Sequence, residues 1–106
     1  MKILAIEHDL PGKAVEKFHA LAKAEARRVW DWQQSGVVRE AYFRTDRDEA
    51  VLVLECESAE DAREVLATLP FVQAQLITFE IMPLKAYPGT ARLFGEGSAE
   101  GAASHN

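Results

Sequence analysis

The sequence has little of what disulfide-rich, metal-binding and membrane proteins depend on. Among its 106 residues Cys56 is the one cysteine, and no cysteine or histidine cluster has the spacing of a zinc site. The apolar run near the start covers residues 3–6 only, which is too short for a signal peptide or a membrane span. These absences predict a cytoplasmic protein in a reducing compartment, without a metal site.

The chain also lacks a cluster of positive charge. It has 12 lysine and arginine residues against 17 aspartate and glutamate residues, for a net charge of −5. A basic patch is what draws a protein to nucleic acid or to an anionic membrane. The composition therefore argues against both nucleic acid and an anionic membrane as partners.

Hydrophobic periodicity predicts six elements in the order strand, helix, strand, strand, helix, strand. The strands are expected at 2–8, 37–44, 50–56 and 76–82; the first helix at 13–35, and the second between Ser58 and Pro70. This order predicts an α+β, ferredoxin-like β-α-β-β-α-β fold, with an antiparallel sheet and both helices on one face. We assign residues 1–94 to a single domain and predict that the polar tail 95–106 is disordered.

The third strand is apolar on both faces. Val51 and Val53 point one way while Leu52 and Leu54 point the other, although two helices can cover only one face of the sheet. The simplest cover for the other face is a second copy, which gives a homodimer or higher assembly as a dimeric α+β barrel. A half-exposed sheet is the alternative.

Residues 83–94 follow the last strand and contain Tyr87, Leu93 and Phe94. Their prolines favour an extended segment rather than a helix, and the apolar side chains need a surface to cover them. We expect this segment to pack on a neighbouring subunit.

Glu25 lies within the apolar stripe of the first helix, where a carboxylate faces the core. Glutamate is seldom buried without a partner. If the side of the second strand that carries Ala41 and Phe43 meets the helices, Arg39 shares that side and points toward Glu25. One interpretation is a structural ion pair; the other is a pocket in which Glu25 is a general base and Arg39 anchors an anionic substrate.

Three further residues are candidates for such a pocket. His8 lies at the end of the first strand. One interpretation gives it a capping or surface role, and the other makes it a proton shuttle at the mouth of the pocket. Trp32 belongs to the core or to the pocket wall, and Phe43 is assigned to substrate binding beside Arg39. The candidate catalytic residues are thus Glu25 and His8, and the candidate binding residues are Arg39, Trp32 and Phe43.

Three stretches, KAEARRVWDWQQSG, VVREAYFR and VLATLPFVQAQLITFEIMPLKAYP, resemble the muconolactone delta-isomerase family over roughly residues 20–90. The most specific pieces are LATLP followed by an aromatic residue, the last strand running into Pro-Leu-x-x-x-Pro, and an arginine three residues after Gly36. The family also carries a glutamate and an arginine near the positions of Glu25 and Arg39.

The resemblance implies a dimeric α+β barrel that moves a proton, without a cofactor, on a small carboxylate-bearing lactone or organic acid. Two alternatives stay open at this point. One is a cofactor-free monooxygenase of the same barrel type, and the other is a non-catalytic protein that binds a small ligand or serves assembly.

Overall fold

A computed structural model describes residues 1–12 and 14–94 of the chain. The elements are β1 (Lys2–Asp9), α1 (Val15–Ser35), β2 (Val38–Phe43), β3 (Ala50–Glu55), α2 (Ala59–Leu66), α3 (Pro70–Gln73), β4 (Ile77–Pro83) and a 3₁₀ helix (Gly89–Leu93). The predicted disordered tail, 95–106, lies outside the described residues.

The four strands form one antiparallel sheet in the order β2-β3-β1-β4. The first and third strands are therefore central, and the second and fourth form the edges. This arrangement confirms the predicted ferredoxin-like α+β fold, and all six predicted elements are present within a few residues of their expected bounds.

The core lies between the helices and one face of the sheet. Alternate residues of the two central strands, Ile3 and Ala5 from β1 and Leu52 and Leu54 from β3, are buried there. Helix α2 closes this layer with Ala62 and Leu66, whereas α1 has no fully buried residue. Helix α1 is thus less tightly packed on the sheet than α2, and space remains beneath it.

Two local signals in the sequence set the helix ends. Gly36 ends α1 in the left-handed conformation, with φ of 87°, which a residue without a Cβ adopts at little cost. At the start of α2, Ser58 Oγ accepts a hydrogen bond from the Asp61 N–H at 3.0 Å, as a capping residue does.

Two short helices were not predicted. Pro70 occupies the first turn of α3, where its missing N–H costs nothing, so the proline that was expected to end α2 begins another helix. The expectation of a fully extended segment 83–94 is wrong for Gly89–Leu93, which forms a 3₁₀ helix after Pro88. Leu93, at the end of this helix, and the flanking Tyr87 and Phe94 are exposed by 70% or more of their surface.

The sheet face opposite the helices is open in the single chain. We call the apolar residues at its centre the open-face patch: Leu4, Ile6, Tyr42, Val51, Val53 and Met82. Tyr42 is 56% exposed and Met82 is 37% exposed, while the others are partly covered by their neighbours.

Candidate active site

A pocket of about 1010 Å³ lies between α1 and the sheet, near the ends of β1 and β2. This volume is at the upper end of the range of small-molecule sites, about 300–1,000 Å³. Its wall is mainly apolar and includes four phenylalanines: Phe18, Phe43, Phe71 and Phe79. The rings of Phe18 and Phe71 meet edge to face, with centroids 5.0 Å apart, and so join α1 to α3.

Glu25 reaches this pocket from the middle of α1. Its Oε1 accepts a hydrogen bond of 2.9 Å from the backbone N–H of Phe71, in the first turn of α3. Burial raises the pKa of Glu25, and the bond from Phe71 opposes part of that rise. A carboxylate in this setting is a stronger base than one in water.

Glu7 enters the same pocket from β1 and is only 7% exposed. Its Oε1 accepts a hydrogen bond of 2.9 Å from the backbone N–H of Ala50. Burial raises the pKa of Glu7 to about 7; the Ala50 N–H opposes that rise, and a hydrogen bond with Asp9 adds to it. Near neutral pH this carboxyl group is therefore protonated in a large share of the molecules.

Asp9 and Glu49 continue this acidic group. Glu49 Oε2 accepts a hydrogen bond of 2.8 Å from the backbone N–H of Asp9, and the Glu49 side chain is buried. The guanidinium groups of Arg44 and Arg47 lie 3.6 and 3.8 Å from Glu49 Oε1. Glu49 is thus paired with positive charge, whereas Glu7 and Asp9 face the pocket.

The structure brings two of the five predicted site residues into the pocket wall, Glu25 and Phe43. Helix α1 and strand β2 place them on opposite sides of the same space. Arg39, Trp32 and His8 are not part of that wall.

The prediction that Arg39 points toward Glu25 is wrong. A bulge between Val38 and Glu40 puts two residues of β2 opposite one of β3, so the alternation that holds from Ala41 onward does not extend back to Arg39. Val38 occupies the core position instead, at 2% exposure. Arg39 is exposed, and its Nε donates to the Gly36 carbonyl at 2.7 Å.

His8 and Trp32 also lie elsewhere. His8 is on the open side of the sheet, where its Nε2 is 3.3 Å from Glu80 Oε1. Trp32 packs against the hydrophobic core, with the Arg28 guanidinium carbon 5.5 Å from its ring centroid. Their predicted roles, and substrate binding by Arg39, stay predictions.

Sequence reasoning missed Glu7, Asp9 and His19, which line the pocket with Glu25. A signal for Glu7 was present: strand alternation places it on the same face as Ile3 and Ala5, which are core residues. An acidic residue on the buried face of a strand, such as Glu7, marks a candidate site as clearly as an acidic residue within the apolar stripe of a helix, such as Glu25.

The described residues, 1–12 and 14–94, contain neither a metal-binding cluster nor a membrane-spanning helix. No group of three or more His, Cys, Asp or Glu side chains there is arranged to hold a metal ion. No helix in that part of the chain is long and apolar enough to cross a membrane.

The fold and the pocket define a small ferredoxin-like α+β protein with a carboxylate-lined, mostly apolar cavity between helix and sheet. The model of one protein family, muconolactone delta-isomerase, matches residues 3–90. The chain therefore belongs to the muconolactone delta-isomerase family. No curated protein matches it with statistical significance.

The solved structures that resemble this fold include two enzymes. A muconolactone isomerase superposes with a TM-score of 0.67 at 18% identity, covering 83% of this chain and 92% of the other. The 5-chloro-2-hydroxyhydroquinone dehydrochlorinase TftG of Burkholderia phenoliruptrix AC1100, in complex with 2,5-dihydroxybenzoquinone, has a TM-score of 0.64 at 18% identity. That match covers 82% of this chain and 96% of the dehydrochlorinase. At such identity the similarity shows the fold.

Proposed function

We propose that this protein is an isomerase-like enzyme that moves a proton on a small cyclic organic acid or lactone, with Glu25 as the general base. The observation that carries the proposal is the position of Glu25, a carboxylate in the aromatic wall of a pocket large enough for such a ring. Family membership and the two enzymes with the same fold support a small-molecule catalytic role.

Glu25 has the properties that a base for carbon acids needs. One oxygen is fixed by the Phe71 N–H, which orients the carboxylate, and the group lies in an apolar setting that raises its pKa. A base is most effective when its pKa approaches the working pH, because it is then both unprotonated and strongly basic. Removing a proton from a ring carbon beside a conjugated carbonyl requires such a group.

The charge of the pocket limits how a substrate lies in it. Glu7, Asp9, Glu25 and Asp48 line the pocket, and the described part of its wall has no lysine or arginine. The reacting ring then lies against the phenylalanines, and a substrate carboxylate points away from Glu7 and Asp9. We further propose that the protein acts as a homodimer or larger assembly, formed through the open-face patch.

The hydrogen bond to Phe71 also supports a purely structural role, because it ties α1 to the first turn of α3. Glu25→Gln separates the two roles, since a glutamine oxygen still accepts this bond but cannot take up a proton. Glu64→Gln, on the exposed surface of α2, is the matched control.

The test is turnover of muconolactone, followed by NMR as a shift of the ring double bond. We expect the parent and Glu64→Gln to turn over equally and Glu25→Gln to lose at least about 10²-fold, the usual minimum for a general base. Equal turnover by Glu25→Gln and Glu64→Gln would assign Glu25 to structure alone.

A further inference from the structure

We propose that Glu7 is a second catalytic residue, a neutral carboxylic acid that donates a hydrogen bond to the carbonyl oxygen of the substrate. Asp9 is a positioning residue that keeps the Glu7 carboxyl protonated. This inference rests on the proposed function, because it assigns the partner of the base Glu25 within the same pocket.

The geometry of Glu7 carries the argument. It is nearly fully buried, yet it belongs to the pocket wall, so the covered side chain borders the space that a ligand would occupy. Its Oε1 accepts a hydrogen bond from the Ala50 N–H, which fixes the side chain. The Glu7 carboxyl is also hydrogen-bonded to Asp9, so in the empty pocket its proton is directed at Asp9, and in the proposal it turns to the substrate oxygen when a ligand enters. Glu25 reaches the same pocket from the helix layer, so a ring between them meets a base from α1 and an acid from β1.

The surroundings of Glu7 favour the neutral form. Asp9 and Glu49 lie beside Glu7 and raise its pKa. The other titratable groups in the pocket wall are Glu25, His19 and Asp48. Arg44 and Arg47 lie beyond Glu49. Arg44 donates two hydrogen bonds to Asp46, at 2.9 and 2.7 Å, and both arginines also lie within 3.8 Å of Glu49 Oε1. Neither arginine lines the pocket. The neighbouring carboxylates thus place negative charge around the buried Glu7 carboxyl. Glu7 favours its protonated form because a proton reduces the repulsion between these groups.

The chemistry is an enolisation in which atoms and charge balance. The Glu25 carboxylate removes a proton from the ring carbon, and the electron pair of the broken C–H bond moves onto the carbonyl oxygen. The Glu7 O–H donates a hydrogen bond to that developing enolate. The protonated Glu25 then returns the proton to another carbon of the conjugated system, and both carboxyl groups regain their starting states. A neutral acid in an apolar site is well suited to this role, because it stabilises negative charge without adding any.

The probe is 2(5H)-furanone, an unsaturated lactone without a carboxylate. Its ring protons exchange with D₂O when a base removes them, and NMR reports both this exchange and binding. The exchange rate and the dissociation constant are measured from about pH 5 to pH 9, a range that spans the pKa of Glu7. The proteins are the parent, Glu7→Gln, Asp9→Asn, Glu25→Gln and the control Glu64→Gln.

We expect the parent exchange rate and affinity to fall above about pH 7, as Glu7 loses its proton. Glu7→Gln keeps an N–H donor, so its rate at low pH falls by about tenfold, and its decline at high pH disappears. Asp9→Asn moves the decline to lower pH, because one cause of the raised pKa is gone. A merely structural role of Glu7 would leave the shape of the profile unchanged.

The two proposals fail in different ways. If Glu25→Gln abolishes exchange while Glu7→Gln keeps the full decline above pH 7, the role of Glu7 is wrong and the base stands. If the parent does not accelerate the exchange, the assignment of Glu25 as the base is wrong. The role of Glu7 is then tested by the dissociation constant of the lactone alone. Affinity that declines with pH in the parent but not in Glu7→Gln supports the hydrogen bond, and identical affinity profiles overturn it.

Discussion

Glu7 gives the fold a pH dependence whose sign is fixed by its raised pKa. The folded protein holds this proton up to about pH 7, whereas the unfolded chain releases it near the ordinary value of 4.5. The stabilisation from this proton is therefore fully present below about pH 4.5 and is lost as the pH rises to about 7, which lowers the free energy of unfolding by roughly 3 kcal/mol. Glu7→Gln keeps the bond to Ala50 and should remove that loss.

Denaturant unfolding of the parent and Glu7→Gln at several pH values measures this effect. We expect the two free energies of unfolding to diverge between pH 5 and 7, with the variant more stable above that range. Parallel curves would mean that Glu7 has an ordinary pKa in the folded protein.

Glu25 contributes a bond as well as a charge. Glu25→Gln should unfold at nearly the parent's denaturant concentration near neutral pH, since the Phe71 N–H keeps an acceptor. Glu25→Ala should cost about 1–3 kcal/mol because that partly buried N–H loses its partner. Circular dichroism during urea titration measures both. A glutamine variant as unstable as the alanine variant would show that the charge, not the bond, holds α1 on α3.

The residue-scale predictions from sequence differ in success for a physical reason. Glu25 was singled out because a charge inside an apolar helix stripe is conspicuous, and in the structure it lines the pocket beneath α1. Arg39 was misplaced because its direction depended on uninterrupted strand alternation, which one bulge shifts. No pattern in the sequence marks that bulge.

At the scale of elements, the end of α1 depends on Gly36, whose φ is 87°. Gly36→Ala should destabilise the protein by about 1–2 kcal/mol, because the left-handed conformation brings Cβ close to the next carbonyl. An added Cβ would meet Arg39 Nε at 3.8 Å, an ordinary contact, so the cost is conformational. Gly36→Asn should lose less, since asparagine tolerates this conformation. Equal losses in urea unfolding would contradict this explanation.

Periodicity located the long elements well and the short ones badly. Strands and helices of six residues or more bury a repeating face, and that repeat can be read from the sequence. Helix α3 has four residues and depends on tertiary contacts, including the bond to Glu25. Its position could not be predicted, although it supplies Phe71 to the pocket.

At the scale of the whole molecule, the open-face patch should hold two copies together. Val53→Arg places a charge at its centre and should convert the assembly to a monomer of 11.8 kDa, whereas Gln33→Arg, on the exposed surface of α1, should not. Sedimentation velocity distinguishes the species. An interface of this kind should bury about 1,600 Å² or more in total. A monomeric parent at micromolar concentration would contradict it.

The exposed Tyr87, Leu93 and Phe94 suggest that residues 83–94 extend the same contact. A chain that ends at Phe94 should assemble like the full chain, and one that ends at Ala86 should dissociate at higher protein concentration. Sedimentation equilibrium compares the two constants. Equal dissociation constants for the two truncated chains would show that residues 87–94 are not part of the interface.

The most direct test of a proton-transfer enzyme is solvent deuterium incorporation into muconolactone in D₂O, because it records the broken C–H bond itself. The parent should incorporate deuterium into the ring system at least about 10²-fold faster than Glu25→Gln, as expected for loss of a general base. Glu25→Gln should still bind the lactone with nearly the parent's affinity. Equal incorporation by the two proteins would contradict the assignment of Glu25 as the catalytic base.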